Sequence, residues 1–210
     1  DYRIIYMYII VGLGNPGEEY ETTRHNTGRM IVEELVKKSK FSEWVFDKKS
    51  NTLKTEGDIG KEKITLLLPE TMMNNSGNAV VKFIISKKRA EKLIIVHDDL
   101  DLPLGKFKIS FARGSAGHKG VESVIKKIKT DAFIRIRVGI YPASTAKRGE
   151  SNKKPGNKAL VNLLLGKFSP KEMVVFKKIS KQILFAIKMI IDDGLQKAMS
   201  QFNGAVDAPR

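Results

Sequence analysis

The chain contains three histidines, and each lies in a polar or glycine-rich segment where an α/β protein places its functional groups. His25 follows a glycine-rich turn, His97 is followed directly by Asp98 and Asp99, and His118 lies in a second glycine-rich loop. An imidazole oriented by a carboxylate is a general base. With no serine or cysteine nucleophile in evidence beside it, such a pair predicts activation of water.

His25 stands just ahead of an amphipathic pattern that predicts a helix from Thr27. The positive end of that helix dipole disfavours imidazolium, so we expect a neutral ring that acts as a base near neutral pH. Two other interpretations stay open. His25 could cap the helix through local hydrogen bonds, and the histidines could ligate a metal ion, although the paired spacing of helical metal ligands is missing.

Two apolar runs are expected to position these groups. Tyr6–Val11 is rich in Ile and Val and is closed by a glycine, and Lys92–Val96 ends directly at His97. Both patterns predict buried strands of a central sheet. Ligands of α/β proteins bind beyond the carboxyl ends of the strands. If the two strands are neighbours, His25 and Asp98 meet at that edge.

Strand and helix patterns alternate along the rest of the chain. Further strands are predicted at residues 51–56, 63–68, 106–110 and 133–140. Helices are predicted from Thr27, at residues 79–88, after residues 114–120, from Ser169 to Gly194, and close to Phe202. The alternation predicts an α/β fold with a mixed, twisted central β-sheet flanked by helices.

The length of 210 residues and the apolar content of 41% suit one buried core. We predict a single catalytic domain over residues 1–210, with its core at about 7–203. Ala143–Lys158 has no apolar period, which predicts a solvated basic loop or, alternatively, a mobile flap over a bound polyanion. Residues 204–210 resemble a flexible tail, and residues 1–6 could be a native extension, a processed end or an added segment.

The chain carries 38 Lys and Arg against 23 Asp and Glu, a formal charge of +15. Such a surplus attracts polyanions, so nucleic acid is the first partner to expect, with a merely solubilising lysine-rich surface as the alternative. The absence of cysteine excludes disulfides and thiolate metal sites and favours a reducing cytoplasm. The longest apolar run, Ile4–Leu13, is too short to span a bilayer, so no membrane association is expected.

The glycine spacing of Gly12–Gly17 formally matches the dinucleotide-binding fingerprint. However, Pro16 removes a backbone N–H where a phosphate needs donors, and neither a helix pattern at Gly17 nor a second strand with a terminal acidic residue follows. We therefore expect no cofactor and interpret the glycines as a turn that brings Asn15 and His25 to the sheet edge. A nucleotide-dependent enzyme is kept as an alternative hypothesis.

Met72–Gly77 follows a proline and precedes a helical pattern. Asparagine amides donate and accept hydrogen bonds at once, which suits this segment to hold a peptide backbone instead of a particular side chain. Helix capping by Asn75 or Ser76 is the structural alternative, and one residue could cap while another binds substrate.

Together these segments resemble the bacterial-type peptidyl-tRNA hydrolase family, from about Met7 to Asn203. The resemblance is carried, in the same order, by Gly12–Gly17 with Tyr20, Thr23–Asn26 and Gly28, Met73-Asn74 with Ser76-Gly77, His97–Pro103 with Gly105, Gly114–His118, Arg135-x-Arg137-Val138-Gly139, and Gly166–Phe168. So many motifs in the same order make the resemblance specific to this family.

The resemblance implies cleavage of the ester between a peptide and the 3'-terminal ribose of tRNA, which recycles tRNA from prematurely released peptidyl-tRNA. It implies that His25 activates the water and that Asp98 orients and polarises His25, with no metal or cofactor. The implied substrate-binding residues are Asn15, Tyr20, Met73, Asn74, His118 and Lys119, and the implied tRNA phosphate-binding residues are Lys106, Lys108 and Arg137.

The expected partner is thus peptidyl-tRNA, and the expected protein is a cytoplasmic monomer with no obligate protein partner. A non-catalytic RNA-binding protein that keeps the fold and the basic face is the rival hypothesis.

Three positions depart from the family's pattern. Lys119 stands where an asparagine usually follows the histidine, which replaces one amide contact to the peptide by a cation. Met72 stands where an aromatic residue is usual, which weakens stacking. Ser110 stands where a second basic residue is usual, so Lys106 or Arg113 would have to compensate in phosphate binding.

Overall fold

The computed structural model describes residues 7–142 and 156–204, which form one seven-stranded sheet with helices packed on it. The strands are β1 (Tyr8–Gly12), β2 (Val45–Asp47), β3 (Thr52–Ile59), β4 (Glu62–Pro69), β5 (Leu93–Pro103), β6 (Phe107–Phe111) and β7 (Ile134–Tyr141). The α-helices are α1 (Thr27–Lys38), α2 (Ser76–Val80), α3 (Lys87–Ala90), α4 (Lys119–Ile128), α5 (Asn157–Leu165), α6 (Pro170–Asp192) and α7 (Leu195–Asn203).

The sheet order is β2-β3-β4-β1-β5-β7-β6. The four central strands β4, β1, β5 and β7 are parallel, whereas β2, β3 and β6 pair antiparallel at the two sides. The predicted α/β fold with a mixed sheet flanked by helices is confirmed. In the part of the chain that the structure describes, no helix combines the length and the apolar character needed to cross a membrane.

Alternate residues of β1 face two hydrophobic layers. Tyr8 and Ile10 belong to the layer that includes residues of α1, α6 and α7, and Ile9 and Val11 belong to the layer that includes residues of α2 and α4. Because both faces of β1 are covered, the strand is apolar at every position, as buried parallel strands are. Leu13 and Asn15, which follow the strand, are buried as well, so β1 leads the chain to an enclosed position.

The strands β1 and β5 are neighbours, as the predicted site requires. Gly12 pairs with Val96, so the chain leaves β1 beside the polar part of β5. The start of α1 packs tightly on this junction, since a Cβ at Gly28 would overlap the carbonyl oxygen of Val96. A glycine is needed there for the helix to approach the strand ends.

The predicted helix over residues 79–88 is wrong. The chain forms the short helix α2, a 3-10 turn at Val81–Phe83, and then α3. Ile84 leaves the helical region (φ −106°, ψ 86°), and Ser86 caps α3 by accepting the N–H of Arg89. The β-branched residues after Phe83 and a new N-cap interrupt the helix that the apolar spacing indicated.

Three other boundaries differ from the prediction. The helix α5 begins at Asn157, inside the predicted loop 143–158, and none of its residues is fully buried. The strand β5 continues past Val96 to Pro103, and β2 was not predicted at all. The predictions for residues 1–6, 143–155 and 205–210 lie outside the described residues.

Candidate active site

His25 lies in a 3-10 turn, Arg24–Asn26, between β1 and α1. On one side the guanidinium of Arg24 donates to both carboxylate oxygens of Glu172, at 2.7 and 2.8 Å, and to the carbonyl oxygen of Lys167. Glu172 also completes the capping box that begins α6 at Ser169. The turn that carries His25 is therefore tied to the first turn of the longest helix.

On its other side the turn is held by Asn26. The Asn26 side chain accepts the backbone N–H of Asn15 and donates to the carbonyl oxygen of Asn15, each at 2.8 Å. Asn26 is buried, so both bonds are shielded from water. Asn26 was not among the predicted site residues, although it directly follows His25, and an asparagine can satisfy one donor and one acceptor of the same residue.

His25 and Asp98 meet as predicted. Nδ1 of His25 lies 2.9 Å from Oδ1 and 3.1 Å from Oδ2 of Asp98, and the side chains are 12% and 2% exposed. An ionised carboxylate only accepts hydrogen bonds, so Nδ1 carries the proton. In the neutral ring Nε2 is then the atom that can accept a proton from water.

The electrostatics of the pair favour charge on both members. Burial lowers the pKa of His25, but the charge of Asp98 and its hydrogen bond together raise that pKa above its ordinary value. Burial raises the pKa of Asp98, but the charge of His25 and the hydrogen bonds from His25 and His118 outweigh it and hold the pKa well below its usual range. The pKa of His25 is thus raised, whereas the helix start was expected to favour the neutral ring, because the charge and hydrogen bond of Asp98 outweigh burial.

Asn15 joins the turn of His25 to the segment that begins at Met73. Its side-chain oxygen accepts the N–H of Met73 at 2.8 Å, and the side chain is buried. Asn74 follows at an exposed position of the same turn, whereas Met73 packs in the apolar layer beneath. The structure thus brings Asn15 and Met73 together and leaves Asn74 facing solvent.

His118 lies against the pair instead of across an open pocket. Its Nε2 is 2.9 Å from Oδ1 of Asp98, and its ring centroid lies 5.2 Å from that of His25 and 4.6 Å from that of His97. His97 bonds the backbone oxygen of Asp98 at 2.7 Å, and burial lowers the pKa of His97 far below its ordinary value. All three histidines converge, but two of them bond the carboxylate.

Two predicted substrate-binding residues lie further out. Lys119 is the first residue of α4, and its side chain is 73% exposed with Nζ 3.8 Å from Glu122. Tyr20 is half-buried at the end of the 3-10 turn Glu18–Tyr20, and its carbonyl oxygen accepts from Thr23. Within the described ranges, neither residue forms a hydrogen bond or an ion pair with His25 or Asp98.

The predicted phosphate-binding residues divide between two cavities. Lys108 and Arg137 pair across β6 and β7, and they line a cavity of about 570 Å³ together with Arg113 and Arg135. Arg137 also donates to Asp99 at 2.6 Å. Arg135 was missed as a candidate, although its spacing of two from Arg137 places both on one face of a strand.

Lys106 lines a separate cavity of about 790 Å³, beside the exposed side chains of Val174 and Val175. Lys106 thus lines a different cavity from Lys108 and Arg137, whereas Arg113, named as a replacement for a second basic residue on β6, lines the same cavity as they do.

The ligand atoms of His25, Asp98 and His118 lie within 4.8 Å of one another, and among the described residues this group has the composition of a divalent-cation site. Both ring nitrogens lie at hydrogen-bond distance from the same oxygen, Oδ1 of Asp98. The two imidazoles thus share one hydrogen-bond acceptor on Asp98.

A family model described as peptidyl-tRNA hydrolase matches residues 9–209. The chain belongs to the peptidyl-tRNA hydrolase family. Peptidyl-tRNA hydrolase of Thermoanaerobacter sp. (strain X514) is 41% identical over 199 residues, which cover 94% of this chain and all of the relative. That of Aquifex aeolicus (strain VF5) is 39% identical over 196 residues, which cover 93% of this chain and 95% of the relative.

A crystal structure of peptidyl-tRNA hydrolase from Acinetobacter baumannii superimposes with a TM-score of 0.82 at 32% identity, over 94% of each chain. Membership in this family makes the chain an esterase-type hydrolase with peptidyl-tRNA as its substrate. The hypotheses of a non-catalytic RNA-binding protein and of a nucleotide-dependent enzyme give way to this assignment.

Proposed function

We propose that the chain hydrolyses peptidyl-tRNA with water activated by His25, and that Asp98 orients and polarises His25. The observation that carries this proposal is the 2.9 Å bond between Nδ1 of His25 and the buried, ionised carboxylate of Asp98. The bond selects the tautomer in which Nε2 accepts a proton, as a general base requires.

In the proposed reaction a water molecule attacks the ester carbonyl carbon and gives a proton to Nε2 of His25. A carbon–oxygen bond to water forms, and the bond to the ribose oxygen then breaks. His25 returns its proton to the departing ribose oxygen, so that free tRNA and a free peptide carboxyl group are released. Asp98 stabilises the imidazolium between these steps by its charge.

For the peptide, we propose binding of the main chain by the exposed amide of Asn74, which can donate and accept at once. Asn15 supports Asn74 indirectly, because its side-chain oxygen accepts the N–H of Met73 and so fixes the turn that carries Asn74. We also propose Lys119, at the start of α4, and Tyr20, in the loop after β1, as contacts to the peptide, with Met73 in the apolar layer beneath Asn74. No cofactor or metal is needed for these steps.

For tRNA, we propose that Lys108 and Arg137 bind a phosphate, supported by Arg113 in the same cavity, whereas the side chain of Arg135 is buried. Two cations in register on neighbouring strands suit one phosphate group. The formal charge of +15 supports capture of tRNA over a wider surface, with Lys106 as a more distant contributor. The proposed working form is a single-domain monomer in the cytoplasm, with no obligate protein partner.

The proposal is tested by incubating purified protein with a model peptidyl-tRNA, without added metal or nucleotide, and measuring free tRNA. We expect release by the wild type and a strong loss for Asp98→Asn, because an amide can bond Nδ1 without selecting the basic tautomer. Asp193→Asn removes an exposed carboxylate that pairs with Lys197 and serves as the control. No release by the wild type overturns the proposal.

A further inference from the structure

His118 is held in one tautomer by the helix that it caps. Its Nδ1 accepts the backbone N–H of Val121 at 3.2 Å, as the N-cap of α4. In a neutral imidazole the nitrogen that accepts is the one without the proton, so the proton is on Nε2. Nε2 therefore donates to Oδ1 of Asp98 at 2.9 Å. Both nitrogens of His118 therefore form hydrogen bonds within the protein.

The ring of His118 is also held from behind by His97. The two ring centroids lie 4.6 Å apart, and His97 is anchored by its own bond to the backbone oxygen of Asp98. His97 is buried to 1% exposure. Three contacts, with Val121, Asp98 and His97, thus determine where the Nε2–H of His118 points.

We propose that His118 is a positioning residue for the reaction: as a neutral donor of fixed tautomer, it takes part of the hydrogen-bonding capacity of Asp98 and so limits how tightly Asp98 holds the proton on His25. The same oxygen, Oδ1 of Asp98, receives both histidines at 2.9 Å. A carboxylate that is stabilised by a second donor is a weaker base toward the first. This inference rests on the proposed role of His25 as the base.

Other charged and titratable groups come close to this cluster from several elements. They are His97 and Asp99 on β5, Arg135 and Arg137 on β7, and, one contact further out, the pair of Arg24 and Glu172. Arg137 is bonded to Asp99 and Arg24 to Glu172. Within residues 7–142 and 156–204, the side chains that bond the carboxylate of Asp98 are His25 and His118.

Two substitutions separate the two bonds of His118. In His118→Asn the side-chain oxygen lies close to the position of Nδ1 and keeps the N-cap, but the side chain is too short to donate to Asp98. In His118→Gln the amide nitrogen lies close to the position of Nε2 and keeps the donor, while the N-cap is lost. His118→Ser is a second capping variant without the donor, for use if His118→Asn does not fold.

The measurements are the pH dependence of kcat/KM on a model peptidyl-tRNA and the titration of His25 by 1H–13C NMR. With the second donor removed, Asp98 holds the His25 proton more tightly. We expect His118→Asn and His118→Ser to move the acid limb and the NMR titration of His25 to higher pH by about one pH unit. His118→Gln should leave both at the wild-type pH.

An unchanged or lower midpoint in His118→Asn overturns the proposal. Equal upward shifts in His118→Asn and His118→Gln overturn it as well, because loss of the imidazole, and not of the donor, would then be the cause. The NMR titration needs no turnover. A wild type without hydrolase activity would therefore defeat the proposed function, while the titration of His25 would still decide the role of His118.

Discussion

Asn26 bonds both backbone groups of Asn15, accepting its N–H and donating to its carbonyl oxygen at 2.8 Å each. Through Asn15 the same chain of bonds reaches Met73. The residue beside His25 therefore links the ends of two strands, and the geometry of the site depends on it.

The first prediction concerns this link. Asn26→Asp keeps the shape but removes the donor and places a carboxylate against the carbonyl oxygen of Asn15. We expect a loss of about 1–3 kcal/mol in the free energy of unfolding, the usual cost of an unsatisfied buried group, together with reduced turnover. Urea denaturation measures the first effect. Asn78→Asp, at an exposed position, is the control, and equal stability of both variants would contradict the structural role of Asn26.

The second prediction concerns pH. The pKa of His25 is raised above its ordinary value of 6.5, and the general base must be unprotonated. Activity should therefore be lost as the pH falls through this raised pKa, and kcat/KM should show an acid limb with its midpoint above 6.5. A pH profile on a model peptidyl-tRNA checks this, and a midpoint below the ordinary value would show that burial outweighs Asp98.

The third prediction concerns tRNA affinity. Lys108→Gln should weaken tRNA binding and make the slope of log K against log salt shallower by about 0.9, the value for one phosphate contact on duplex nucleic acid. Filter binding at several salt concentrations measures the slope. Lys188→Gln removes one equal charge on α6, where Lys188 pairs with Asp192, and should change the slope less. Equal slopes for both variants would make Lys108 an ordinary surface charge.

The fourth prediction concerns Lys119. Because its side chain is exposed at the start of α4 and pairs with Glu122, Lys119→Asn should change KM more than kcat. Lys126→Asn alters another exposed position of the same helix and controls for charge. Steady-state kinetics distinguish the outcomes: a fall in kcat at unchanged KM would move Lys119 from peptide binding into the chemical step.

The central part of the fold was predictable because its signals are local and strong. The apolar runs of β1 and β5, each ending at polar residues, predicted two buried strands with a site at their carboxyl ends. The pairing of Gly12 with Val96 confirms that the two strands are neighbours, and His25 and Asp98 lie within hydrogen-bonding distance at their ends.

The parts that failed depend on contacts that no local pattern shows. Apolar spacing over residues 79–88 suggested one helix, but a non-helical Ile84 and the cap at Ser86 divide it. The helix α5 was not predicted either, although its half-buried residues Leu160, Leu163 and Leu164 have helical spacing.

The role of His118 could be inferred only from distances in the structure. The glycine-rich sequence placed it near the site, but only its bonds to Val121 and Asp98 show that both nitrogens face the protein. The alternation along β7 indicates that Arg135 and Arg137 lie on the same face of the strand. The burial of Arg135 could not be predicted in this way, because it depends on the elements packed around the strand.

The most direct test of the proposed mechanism is the single-turnover rate of His25→Ala on a model peptidyl-tRNA, measured together with its Kd for tRNA. Loss of the general base should lower the rate by about 100-fold or more, while the Kd stays close to that of the wild type, since the basic cavity is unaltered. A near-normal rate at unchanged Kd would contradict His25 as the group that activates water.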